Sequence, residues 1–218
     1  MTDPRTSLIV PLLKARVPAE VQLEFPLPPD EEPIREPLAG DLYVTYALEL
    51  ADEQGRGRRH EHVARRHCAD LGVAPEDLRR LAAVNLHSRR PDLALNWYPD
   101  ARAVTVSLGE GGLESGLLLD EGFLDKLAQD VEGDLVAAVP GRDVFVATGT
   151  GHPDGVEKLR WAAARVWSEE GARPEGAGPE GAGPGEEAAD PAWDVPAGQL
   201  LTRDLLVRRN GAWTVLPG

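Results

Sequence analysis

The densest grouping of chemically capable side chains is Arg56-Gly-Arg-Arg-His-Glu-His-Val-Ala-Arg-Arg-His-Cys68. His60, His62, His67 and Cys68 are ligand types suited to zinc. Their spacing is poor for it: on a helix His60 and His62 point to different sides, and His60 and His67 stand two turns, or ~10 Å, apart. The surrounding arginines also disfavour a cation, so no metal is assigned and Cys68 is expected as a small buried residue. For nucleophilic catalysis the chain offers Ser115 and Cys68 with His87 or His152, but nothing resembles a nucleophile elbow. Gly149-Thr-Gly-His-Pro-Asp-Gly155 follows an apolar run and opens a helical pattern, as a phosphate loop would. Its third glycine comes one residue late for the dinucleotide fingerprint, and Asp154 would oppose a phosphate there. Gly109-Glu-Gly-Gly112 leads into Leu113-Glu-Ser-Gly116 without a basic residue. Turn chemistry accounts for both loops, and no cofactor is implied.

The same arginines make a stronger charge feature. Arg56 to Arg90 holds nine arginines against four acids, an excess of five positive charges in a chain of net charge −14, so the remainder carries −19. Such a two-sided molecule can meet a charged protein partner through Arg58, Arg59, Arg65 and Arg66, or associate with itself through its acidic side. The acidic remainder would repel phosphates, and no interleaved aromatics accompany the arginines, which argues against nucleic acid. Arg142 and Asp143, at the tip of a hairpin, form a further recognition point. A ligand or hydrolase site built from Asn85, Ser115 and Arg142 is the competing reading. Asn85 itself sits on an otherwise apolar helical stripe, where a buried amide must find hydrogen-bond partners.

The elements that position these residues follow from pattern. Gly133-Asp-Leu-Val-Ala-Ala-Val-Pro-Gly-Arg-Asp-Val-Phe-Val-Ala-Thr-Gly149 contains two apolar runs around Pro140-Gly141. Pro sets φ for the second turn position and Gly permits the third, so this is a buried hairpin expected at the middle of the sheet. Ser7 to Leu13, interrupted by Pro11, suits an edge strand. A Pro-rich arm over residues 18–37 is expected to run extended with no regular element. Leu42 to Leu50 alternates as a strand. Helices are expected over residues 60–71, ending at Gly72, from Pro75 to Arg90, from Asp120, and from Pro153 to near Glu170. Leu93 to Tyr98 and Arg102 to Leu108 form two strands around Pro99-Asp100. Three Gly-Ala-X-Pro-X units fill Gly171 to Gly185. That stretch cannot bury enough apolar surface to offset its ordering entropy, so residues 169–192 are expected as a disordered inserted loop. Asn210-Gly211 then marks a closing hairpin within residues 193–218.

Together these elements define an α+β fold: a mixed, largely antiparallel sheet with helices packed on it, expected as a single domain over residues 1–218. One cysteine excludes an internal disulfide framework and fits a cytoplasmic protein. Ser7 to Leu13 is too short to span a bilayer, so no membrane association is expected.

Ile9-Val-Pro-Leu-Leu-Lys14, Leu42 to Leu48, Leu71-Gly-Val-Ala-Pro-Glu-Asp-Leu through Leu86, and Gly133 to Ala147 resemble, in this order, the YtpQ-like bacterial proteins, a domain of unknown function. The resemblance covers roughly residues 8 to 168 plus the closing hairpin. Gly133-Asp134, Ala138-Val-Pro140 and Asp143-Val144 are its most specific pieces. It implies a shared fold and cytoplasmic location, and no site residues. By the resemblance, an N-terminal extension that some members carry before the Ile9-Val-Pro segment is not expected in this chain, so no function housed there is expected to transfer.

Overall fold

In a computed structural model, the described residues are 3–16, 27–51, 58–88, 93–109, 112–167, 172–173, 195–196 and 199–218. The fold is α+β, but the strands form two antiparallel sheets where one was expected, plus a short parallel pair. The chain divides into two compact units, Met1–Pro91 with Gly116–Asp120, and Asp92–Ser115 with Glu121–Gly218.

In the first unit a single 3-10 turn, Pro4–Leu8, capped by the Asp3 side chain, feeds β1 (Ile9–Ala15). β3 (Leu42–Ala51) is the spine of the sheet. β1 pairs along one side of it, and β2 (Arg35–Ala39) and β4 (Arg58–His62) share the other. β1 is an edge strand, as Pro11 requires. Two expectations need correction here. Part of the Pro-rich arm is regular: β2 holds Pro37 on a sheet edge, where a missing N–H costs nothing, and Pro33 bridges Ala64. Residues 27–34 of the arm are coil and turn apart from that bridge, and residues 18–26 lie outside the described residues.

The helix expected over residues 60–71 begins only at Arg65, because residues 58–62 are strand. The two-residue period puts Arg58 and His60 on one side of β4, where both meet the Glu49 carboxylate. Val63 N–H then donates to Tyr46 O, and Ala64 stays extended before α1 (Arg65–Leu71), which ends on left-handed Gly72 as expected. Pro75–Asp77 and α2 (Leu78–Ser88) form the next helix, burying Leu78, Ala82, Asn85 and Leu86.

The second unit is built on a six-stranded sheet. Its strands are β5 (Ala94–Tyr98), β6 (Ala103–Ser107), β7 (Leu135–Ala138), β8 (Phe145–Gly149), β11 (Leu206–Arg209) and β12 (Ala212–Val215). Their order is β12-β11-β7-β8-β6-β5, with the β7–β8 hairpin in the middle as expected. Asn210 and Gly211 adopt positive φ at the closing turn, the conformation a two-residue hairpin needs.

α3 (Glu121–Leu127) places Phe123 edge-on to Phe145, with ring centroids 6.0 Å apart. α4 (Pro153–Val166) covers one sheet face, packing Leu159, Ala163 and Val166 among Val136, Ala138, Val146 and Val207. The disordered loop expected over residues 169–192 lies outside the described residues, except that β9 (Ala172–Arg173) pairs in parallel with β10 (Val195–Pro196). Among the described residues no helix is long and apolar enough to cross a membrane.

Candidate interaction surface

The basic stretch is largely matched by acids of its own unit. Arg58 Nη1 lies 2.5 Å from Glu49 Oε2, Arg59 Nη1 3.9 Å from Glu61, and Arg66 Nη1 3.4 Å from Glu31. Arg65 is exposed at the start of α1. Half-exposed pairs of this kind add little stability, but they cancel much of the field that would draw a partner. His67 Nδ1 accepts from Ala64 N–H at 3.0 Å, closing the first turn of α1. Cys68 is buried, and burial pushes its thiol up, away from the reactive thiolate. Among the described residues no three His, Cys, Asp or Glu side chains are grouped to hold a metal.

The expected ligand residues are divided. Asn85 belongs to the first unit, where its Nδ2 donates to Thr6 O at 2.8 Å and Ile9 O at 2.9 Å. Its amide ties α2 to the start of β1. Ser115 and Arg142 do come together in the second unit, with Ser115 N–H donating to Arg142 O at 3.0 Å. The hairpin tip is enclosed: Arg142 N–H donates to Gln199 O and Leu201 N–H to Pro140 O. Arg142 and Asp143 are therefore half-buried, and Arg142 Nε has no hydrogen-bond partner among the described residues.

Beside this tip lies a buried acid that the sequence reading passes over. Glu114 accepts from Leu108 N–H and Leu113 N–H, each at 3.0 Å, and so clamps its loop to the end of β6. Burial pushes its carboxyl up from the ordinary 4.5; these backbone donors oppose the shift, and the Asp143 charge adds to it. Between the unfolded and folded values the native state holds the extra proton, so this group makes stability fall as pH rises above about 4.5. Glu114→Gln should lower stability at every pH, because its amide meets backbone donors, but it should flatten that fall. Urea midpoints measured from pH 4 to 7 would show it, and an unchanged slope would contradict it.

The glycine loop at the start of α4 is closed to anions. Gly151 N–H donates to Glu132 O, Thr150 N–H to Asp134 O and His152 N–H to Gly149 O. These are the donors a phosphate would need. Glycine is required by the close approach of two backbones: a Cβ on Gly149 would fall on the Glu132 carbonyl oxygen, with Glu132 C and N at 2.9 Å.

What remains open is the sheet edge at β5. Among the described residues this strand pairs only with β6, and all five of its residues are exposed. Leu95 and Trp97 share one face at 39% and 47% exposure, opposite Val106 and Val104, while Tyr98 is 41% exposed on the other. The edges of the first unit's sheet are guarded. β1 is buried over most of its length and contains Pro11; β2 carries Arg35, Glu36 and Pro37; β4 carries Arg58, Arg59 and Glu61. β12 buries Trp213 but exposes Ala212, Thr214 and Val215, and a proline follows it, Pro217, as Pro99 follows β5. Natural edges are blunted by charge, proline or cover; among the described residues the five residues of β5 have none of these, and they expose Leu95, Trp97 and Tyr98 where β12 exposes Val215.

No protein-family model, curated protein or solved structure matches this chain.

Proposed function

We propose that this chain is a non-enzymatic, cytoplasmic protein-interaction module that takes an extended segment of a partner onto the edge of β5. The observation that carries this reading is the edge itself: five exposed residues, none charged and none proline, two of them aromatic. Main-chain hydrogen bonds to an added strand supply affinity, and Leu95, Trp97 and Tyr98 supply apolar contact to its alternate side chains. An enzyme reading has less support, since Asn85 and Glu114 both spend their polar atoms on backbone groups of the fold. We propose also that the chain shares the YtpQ-like fold, a family that contributes no residue role.

The test is capture from native extract by the tagged chain. Leu95→Ser with Trp97→Ser, both at exposed positions, should lose the bound partner by at least about tenfold, the scale of losing apolar anchors. Changing Arg58, Arg59, Arg65 and Arg66 to Ser should retain it. Loss with the arginine variant and retention with the β5 variant would overturn the assignment.

A further inference from the structure

The chemistry of the added strand can be narrowed, given the strand-addition reading above. α4 begins beside the β5–β6 turn: Lys158 Nζ donates to Asp100 O at 2.5 Å, and a Cβ on Gly155 would lie 3.1 Å from Ala101 O. The helix residues on that side are Asp154, Glu157, Lys158 and Trp161, spaced at three and four, and they line an open cavity of about 380 Å³. Lys158 gives one hydrogen bond to the Asp100 carbonyl but keeps its charge, so the cavity offers a visitor two carboxylates against one ammonium, together with an indole. Trp161 is 64% exposed, although the Arg165 guanidinium already lies 5.4 Å from its ring centre, so the ring sits where a cation is accommodated.

We infer that the partner's extended segment carries a lysine or arginine side chain that enters this cavity beside the β5 edge, with apolar side chains at alternate positions against Leu95 and Trp97. Charge complementarity selects this occupant over a second copy of the chain. Two copies of net charge −14 repel, whereas a basic segment is drawn to both the whole molecule and the cavity. An acidic or neutral strand would gain the same main-chain bonds but leave the excess of one carboxylate over Lys158 in the cavity uncompensated.

The test is selection of random displayed peptides on the full-length chain, with three baits: the parent, Asp154→Asn with Glu157→Gln, and Trp97→Ser. The parent should enrich alternating apolar sequences with Lys or Arg at one fixed position. A synthetic peptide of the enriched sequence should bind the Asp154→Asn, Glu157→Gln protein about tenfold more weakly, as should its Lys→Gln counterpart on the parent. Enrichment of apolar strands with no basic preference, lost on Trp97→Ser, would overturn the basic-partner inference and leave strand addition standing. No enrichment on any bait would overturn both. A dimer of the parent in sedimentation that is abolished by Trp97→Ser would assign the edge to a second copy and likewise overturn the inference. All the substitutions lie on exposed or solvent-facing positions, and matching thermal melts would show that each bait is folded.

Discussion

Gly149→Ala should destabilise the second unit by about 3 kcal/mol, at the upper end of what overpacking costs. Gly149 is buried at the end of β8 and pairs with Leu135 across the central hairpin, so neither strand can withdraw without disturbing the middle of the sheet. The added methyl would strike backbone atoms of Glu132, which have no rotamer to change. Gly72 provides the control. It has positive φ and nothing within 4 Å of a built Cβ, so Gly72→Ala should cost only about 1 kcal/mol, the conformational penalty alone. Denaturant midpoints of the two variants separate steric from conformational cost. Similar losses would mean that the two loops are not packed as closely as described.

Replacement of Asn85 should act through charge as much as through lost bonds. Asn85→Ala removes both donors, leaving Ile9 O to be satisfied otherwise while Thr6 O keeps the Ile9 N–H, at a cost of about 2 kcal/mol. Asn85→Asp is nearly isosteric yet should cost more at neutral pH, about 3 kcal/mol or more, because it aims a buried carboxylate at two carbonyl oxygens. Its protonated form can donate one hydrogen bond. The introduced carboxyl would thus have a raised folded-state pKa, and the deficit of Asn85→Asp should shrink as pH falls toward the ordinary carboxylate range. Equal losses for both variants at all pH values would show that the amide bonds are unimportant.

Both predictions concern residues whose roles were differently legible in the sequence. Asn85 declared itself by lying on an apolar helical stripe, and only its partners were unknown. The hairpin at Asn210-Gly211, the Gly72 cap and the start of the helix at Pro75 could be read because each depends on neighbours in sequence. The β7–β8 hairpin was legible too, but its turn spans residues 141–144, closed by Val144 N–H donating to Gly141 O, and is not the tight turn expected at Pro140-Gly141. What could not be read depends on distant pairing. β4 looks helical through its Arg and His content until the edge of β3, with Glu49, is supplied as its partner. β2 is hidden by prolines that an edge position tolerates. Glu114 looks like any loop acid, since nothing local tells that Leu108 N–H will cap it. Leu93 to Tyr98 was recognisable as a strand, but its exposure follows from its place last in the order β12-β11-β7-β8-β6-β5, which no local pattern encodes. The arginine stretch misled in the opposite sense: it was conspicuous in sequence, while Glu31, Glu49 and Glu61 meet it in the fold.

Strand addition at β5 makes a direct statement about backbone amides, and amide hydrogen exchange of the chain with and without its captured partner tests it. The account predicts that exchange across Ala94–Tyr98 slows on binding while that of Arg58–His62 is unchanged. Protection confined to Arg58–His62 and the start of α1, with Ala94–Tyr98 exchanging as in the free chain, would contradict it and return the contact to the basic face.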